Sequence, residues 1–183
     1  MKYTTYIIVL FLSYFSLISA VHAQSQAIDL KNFETERLNE LILQGINNYR
    51  KSLSLPALEN DEILGKAATN HVAYLLKEKK LSHTQSKSNY KDPQKRVFAY
   101  GGKHTMIGEN VAFTFANVTV NTKKNTKIRL ETYEQLAAHF VEVWVESPPH
   151  LKNIKQSFEL SGVAVSADPK TNVVYAVQVF GTL

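Results

Sequence analysis

His150 is the side chain whose setting most favours chemistry, because Ser147-Pro148-Pro149 in front of it reads as a helix start. A serine at the cap accepts an orphan N–H, and a proline at the first helical position has no N–H to orphan. His150 then falls in the first turn, where the positive end of the helix dipole disfavours imidazolium and leaves a ring able to ligate a metal or accept a proton. Local packing or hydrogen bonding explains the residue as well. His83 follows Leu81-Ser82 in a loop, and packing explains it poorly. His139, Glu142 and Glu146 recur at spacings of three and four and could bind a cation, but they lie opposite an apolar helical stripe, where a solvated face is the usual occupant. His71 falls inside such a stripe and reads as a core residue. There is no cysteine, so thiol chemistry is excluded. Nor does the chain contain a His-Glu-x-x-His metalloprotease motif, a Gly-x-Ser-x-Gly elbow or a phosphate-binding glycine loop.

The elements that must position these residues can be read from periodicity. Leu38, Leu41, Ile42, Ile46 and Tyr49 predict a helix over about 34–52, and Pro56 ends the connection after it. Asn60 or Asp61 can cap a second helix with Ile63, Leu64, Ala67, Ala68, His71, Val72 and Leu75 on one face. Asp92-Pro93 starts a short helix that Gly101-Gly102 stops, and Met106 to Thr114 reads as extended, with Glu109 near its start. Residues 116–129 show no periodicity and read as a surface loop, in which Asn117-Val118-Thr119 matches a glycosylation acceptor of use only in a eukaryotic source. Thr132 and Gln135 form a capping box ahead of Tyr133, Leu136, Ala137, Phe140 and Trp144, which share one helical face. Phe158–Ser166 and Asn172–Phe180 are strands joined by a turn at 167–171, a terminal hairpin. Helices, an extended segment, a further helix and a hairpin predict an α+β domain with helices packed on a small antiparallel sheet.

Composition places these elements in an exported setting. Residues 1–23 read as a signal peptide, with Lys2, an apolar run from Ile7 to Ala20 and small residues at Val21-His22-Ala23, so the mature chain is expected to begin at Gln24. An uncleaved anchor is the alternative. Residues 24–37 form a polar lead-in and 38–183 the domain, which is large enough to be held by its core without disulfides. The formal charge of +5 is a mild bias toward anionic surfaces. The local cluster Lys123, Lys124, Lys127 and Arg129 reads as solvated loop charge, and with no focused basic stripe there is no nucleic-acid partner.

Several stretches coincide in order and spacing: Asn48-Tyr49-Arg50 before Leu53–Leu58, Leu81-Ser82-His83, Gly108-Glu109-Asn110-Val111-Ala112, Trp144–Ile154, and Gly162-Val163 with Tyr175–Gly181. Together they resemble the CAP superfamily, or SCP domain, in its cysteine-free bacterial form, over about residues 38–181. The resemblance implies a three-layer α-β-α sandwich with a groove lined by two histidines and acidic residues, which in some members bind a divalent metal. On the matching positions it implies that His83 and His150 are the groove histidines and Glu109 the glutamate of the Gly-Glu-Asn motif. The position of the second glutamate is occupied here by Ser147, with Glu146 one place earlier, so the full acidic tetrad is absent.

These residues and the resemblance together set the functional expectations. His83, Glu109, His150 and Ser147 are expected to line a ligand-binding groove, with His83 and His150 as the expected ligands for Zn²⁺ or a similar divalent ion. The leading reading is a periplasmic or extracellular protein that binds a small, lipid-like or cell-envelope ligand, more a binding protein than an enzyme, with no transmembrane segment in the mature chain. The alternative is a metal-assisted hydrolase of peptide, ester or cell-wall substrates in which Glu109 acts as base and His83 and His150 as metal ligands. A third is a surface interaction domain with a vestigial groove.

Overall fold

The structure is a computed structural model and describes residues 27–121 and 125–183. The proposed signal peptide, its cleavage site, and Lys123 and Lys124 lie outside the described residues.

The predicted elements form nearly where periodicity places them. Helix α1 spans Thr35–Ser52 and buries Leu38, Ile42 and Ile46. A two-residue strand, β1 (Glu59–Asn60), leads into α2 (Glu62–Glu78), capped by the Asp61 carboxylate accepting from the Leu64 N–H. After a 3-10 turn at Ser88–Tyr90 comes α3 (Pro93–Ala99), with Asp92 as its cap. Strand β2 runs Met106–Phe115. Next come β3 (Thr119–Asn121) and β4 (Lys127–Arg129), then α4 (Tyr133–Val145) and α5 (Pro148–Lys155), and finally β5 (Leu160–Asp168) and β6 (Val173–Thr182).

The main sheet has the order β1-β5-β6-β2. Strand β6 lies centrally, antiparallel to both β5 and β2, while the short β1 is parallel to β5. Alternate residues of β6 enter two separate cores. Val174, Ala176 and Phe180 pack with α1, α4 and α5, whereas Tyr175, Val177 and Val179 pack with α2 and α3. A strand covered on both faces is apolar at nearly every position, which is the pattern of Val173–Phe180. The result is a three-layer α-β-α sandwich. Its layers come very close where α2 crosses β5, since a Cβ on Gly162 would lie 2.1 Å from the Gly65 nitrogen, so only glycine permits this approach.

The capping box of α4 forms as predicted, and Trp144 has no exposed surface. Three expectations change. The 116–129 segment is not a plain loop, because β3 and β4 pair antiparallel within it; three-residue strands with one central apolar residue each are too short to show a period. The lead-in is partly structural: Ile28 is buried in the core and its N–H donates to the Glu131 carbonyl. Ser147 occupies the cap of α5, but its side chain makes no cap hydrogen bond, and Pro148 alone supports the helix start predicted there.

Candidate functional site

Strand β2 is the free edge of the sheet opposite β1, and it carries adjacent polar residues to opposite layers. Glu109 turns toward α2 and α3, and Asn110 toward α5. Each anchors one histidine-bearing segment. The Glu109 Oε1 accepts from His83 Nδ1 at 2.9 Å. On the other face, Asn110 Nδ2 donates to the His150 carbonyl at 3.3 Å, while Asn153 Nδ2 donates to the Glu109 carbonyl at 3.0 Å and to Asn110 Oδ1 at 2.9 Å. Gly108 makes room for this docking, since a Cβ there would meet the Phe158 ring at 2.9 Å.

The Glu109 carboxylate is buried, its side chain only 1% exposed, and its second oxygen is held by Arg96 Nη2 at 2.5 Å. Arg96 is itself fully buried and also donates to the carbonyls of Tyr90 and His83, so one guanidinium fixes both the acid and the 83–90 loop. Nothing in the hydrophobic pattern marks Arg96. The available clue is that a carboxylate inside an apolar strand needs a buried countercharge. The consequence falls on His83: with Nδ1–H donated to Glu109, a neutral ring carries its lone pair on Nε2, and the side chain is half exposed.

His71 is a satisfied core residue, as its apolar face predicts. Its Nε2 lies 2.7 Å from the Ser82 carbonyl, which can only accept, so Nε2 bears the proton and Nδ1 accepts from the Gln85 amide at 3.0 Å. Burial, outweighing the nearby Glu109, pulls the His71 pKa below its ordinary value. His139 departs from expectation. Its side chain is only 13% exposed rather than solvated, and burial lowers its pKa despite Glu142 and Glu146 nearby. Both rings are thus neutral in the fold but protonate more readily in the unfolded chain. Between the ordinary histidine value of about 6.5 and their lower folded values the unfolded state binds more protons, so stability is full at higher pH and falls as pH drops below about 6.5. Thermal unfolding at pH 7.5 and 5.5 is expected to show a lower melting temperature at pH 5.5, with a smaller drop in His139→Gln. An unchanged difference in that variant would contradict a buried neutral His139.

Of the four sequence-predicted groove residues, the fold joins His83 to Glu109 directly and moors the backbone of His150 to the neighbouring residue of β2. No described contact joins Ser147 to the other three. Arg96 and Gln85 are polar residues that motif and periodicity did not single out, while Asn110 and Asn153 lie within the motif stretches but received no role there.

The layered fold has known relatives. Residues 43–180 match the family described as Cysteine-rich secretory protein family. The chain belongs to that CAP family. Among solved structures, an outer surface protein of Borrelia burgdorferi aligns with a TM-score of 0.63 at 21% identity, covering 86% of this chain and 98% of its own. An extracellular SCP-domain protein of Bacillus anthracis gives 0.60 at 19%, over 81% of this chain and 41% of its own. A cysteine-rich secretory protein of Staphylococcus aureus gives 0.56 at 14%, over 81% and 39%. At these identities the likenesses establish the CAP fold. No curated protein matches the chain. No helix among the described residues is long and apolar enough to cross a membrane.

Proposed function

We propose that this CAP protein is exported and binds a small, lipid-like or cell-envelope ligand along the β2 edge, with His83 and His150 as the contact groups. The observation that carries this reading is the 2.9 Å bond from His83 Nδ1 to a carboxylate that Arg96 holds in place. It orients a half-exposed imidazole whose second nitrogen is left to accept, a positioned group rather than a packing residue. Export is supported by the apolar N-terminal run and by the outer-surface, extracellular and secretory descriptions of the related structures.

Hydrolysis is less well supported. Both oxygens of Glu109 are engaged and its side chain is almost inaccessible, a poor arrangement for a base that must take a proton from water. A built metal centre also fits poorly. Among the described residues no three His, Asp or Glu side chains are grouped to hold an ion, and Glu109 has no free oxygen to offer. The second reading is therefore a weak divalent site, for Zn²⁺ or a similar ion, on the His83 and His150 rings alone. What favours it is the carboxylate behind His83, the usual support of a metal-binding imidazole. Native mass spectrometry of protein purified from its source should show a retained mass that His83→Ala and His150→Ala lose, with no turnover of peptide, ester or peptidoglycan under added Zn²⁺. Turnover abolished by His150→Ala would replace the binding reading with the hydrolase.

A further inference from the structure

The loop that carries His83 also borders a cavity of about 400 Å³ whose lining does not include His83. It is lined by Tyr74, Glu78 and Lys80 from the end of α2 and by Ser82, Thr84 and Gln85 from the loop after it. No aliphatic side chain lines it, so an acyl chain or other apolar ligand would lose its hydration for little gain. One acid and one base leave it without net charge, and hydroxyl and amide groups make up most of the rest.

One of those groups is built rather than incidental. Gln85 is nine-tenths buried, and its side-chain orientation is dictated from beneath. Because the Ser82 carbonyl fixes the proton of His71 on Nε2, the His71 Nδ1 can only accept, and the Gln85 nitrogen must be the donor to it and to Asn70 Oδ1, both at 3.0 Å. The amide oxygen of Gln85 is left as an acceptor with no protein partner among the described residues. Beside it is the Thr84 hydroxyl, which can donate or accept; the Ser82 hydroxyl, 3.1 Å from it, already donates to the Thr84 carbonyl and accepts from the Thr84 N–H. The half-buried Tyr74 ring is steadied by stacking on His71, with centroids 6.1 Å apart and planes 11° from parallel.

We propose that this cavity is a subsite for an uncharged saccharide, with Gln85 accepting from a sugar hydroxyl or acetamido N–H and Tyr74 packing against a sugar ring. Saccharides match it in kind. They present many donors and acceptors on a compact ring, have a C–H face suited to an aromatic side chain, and need no charge. The volume holds roughly one or two sugar rings and falls within the usual range of ligand pockets. The inference does not depend on the His83 groove reading, because none of its residues is a groove residue.

The test is titration of ¹⁵N-labelled mature protein with chitotriose and, separately, maltotriose, followed by amide chemical shifts. At least one sugar should shift the amides of residues 74–86 saturably. Tyr74→Ala, a partly exposed site that should fold, is expected to weaken that binding about tenfold, and Gln85→Ala to weaken it comparably with a folded amide spectrum. His83→Gln should leave it unchanged. Absence of saturable shifts with both sugars, unaltered binding in Tyr74→Ala and Gln85→Ala, or loss confined to His83→Gln would each overturn the proposal. The last outcome would place the sugar in the groove instead.

Discussion

Arg50→Ala is expected to destabilise the fold by about 4 kcal/mol in urea unfolding, and Arg50→Lys to recover less than half of that loss. The residue is 1% exposed, yet among the described residues no carboxylate pairs with it. Its guanidinium instead donates to four backbone carbonyls: Pro56 at 2.8 Å, Ile154 at 2.7 Å, Gln156 at 3.0 Å and Phe158 at 3.1 Å. Burial pulls its pKa below the ordinary value, but arginine starts high enough to remain charged. The arrangement staples the connection after α1 to the last turn of α5 and the segment that follows it. Removing it orphans four acceptors, each costing about 1–3 kcal/mol if left dry. The cleft of about 670 Å³ beside Arg50 admits water to some of them, which sets the expectation below the full sum. Lysine offers one nitrogen at a point and cannot reach four carbonyls spread around a planar fork. A loss under about 1 kcal/mol for the alanine variant, or full recovery with lysine, would show that the loops hold together without the guanidinium.

Arg96→Met is expected to cost about 3–5 kcal/mol, the usual cost of stranding one member of a buried ion pair. Glu109, whose side chain is 1% exposed, would keep the His83 contact at 2.9 Å and the more distant His71 Nε2 at 3.6 Å, both on one oxygen, and lose the partner of the other. The informative comparison is Arg96→Met with Glu109→Gln. Once the carboxylate is neutral the stranded charge disappears, so the double variant should be more stable than Arg96→Met alone, with a coupling of a few kcal/mol in the double-mutant cycle. The loop should respond too, because Arg96 Nη1 also holds the Tyr90 carbonyl at 2.9 Å. Faster amide hydrogen exchange across residues 83–90 is expected in both variants. Additive effects of the two substitutions would mean that Arg96 and Glu109 do not depend on one another for their burial.

The difference between these two arginines and the residues found by pattern shows where sequence reading succeeds. The helix of residues 35–52, the cap at Asp61, the capping box of Thr132 and Gln135, and the burial of Trp144 are all encoded within a turn or two of chain. A helical period or a side chain bonding three residues away needs no knowledge of the rest of the molecule. The continuous apolar run at Val173–Phe180 likewise announces a strand covered on both faces. The motif resemblance added the groove histidines and Glu109.

What the local pattern misassigned depends on neighbours far along the chain. His139 lies opposite its helix's main apolar stripe, yet tertiary packing leaves it 13% exposed. Ser147 does sit at the cap of its helix, but its side chain makes no cap hydrogen bond there. Apart from the short β1, β3 and β4, the elements were legible in the chain, as were the two histidine-bearing segments and, through the resemblance, the layer order, because they rest on short-range periodicity and on motifs. That Glu109 faces Arg96 and His83 while Asn110 faces α5 was not. Neighbouring strand residues project to opposite faces, and which groups meet them there is set by packing between segments 13 to 44 residues apart, a choice that short-range periodicity does not carry.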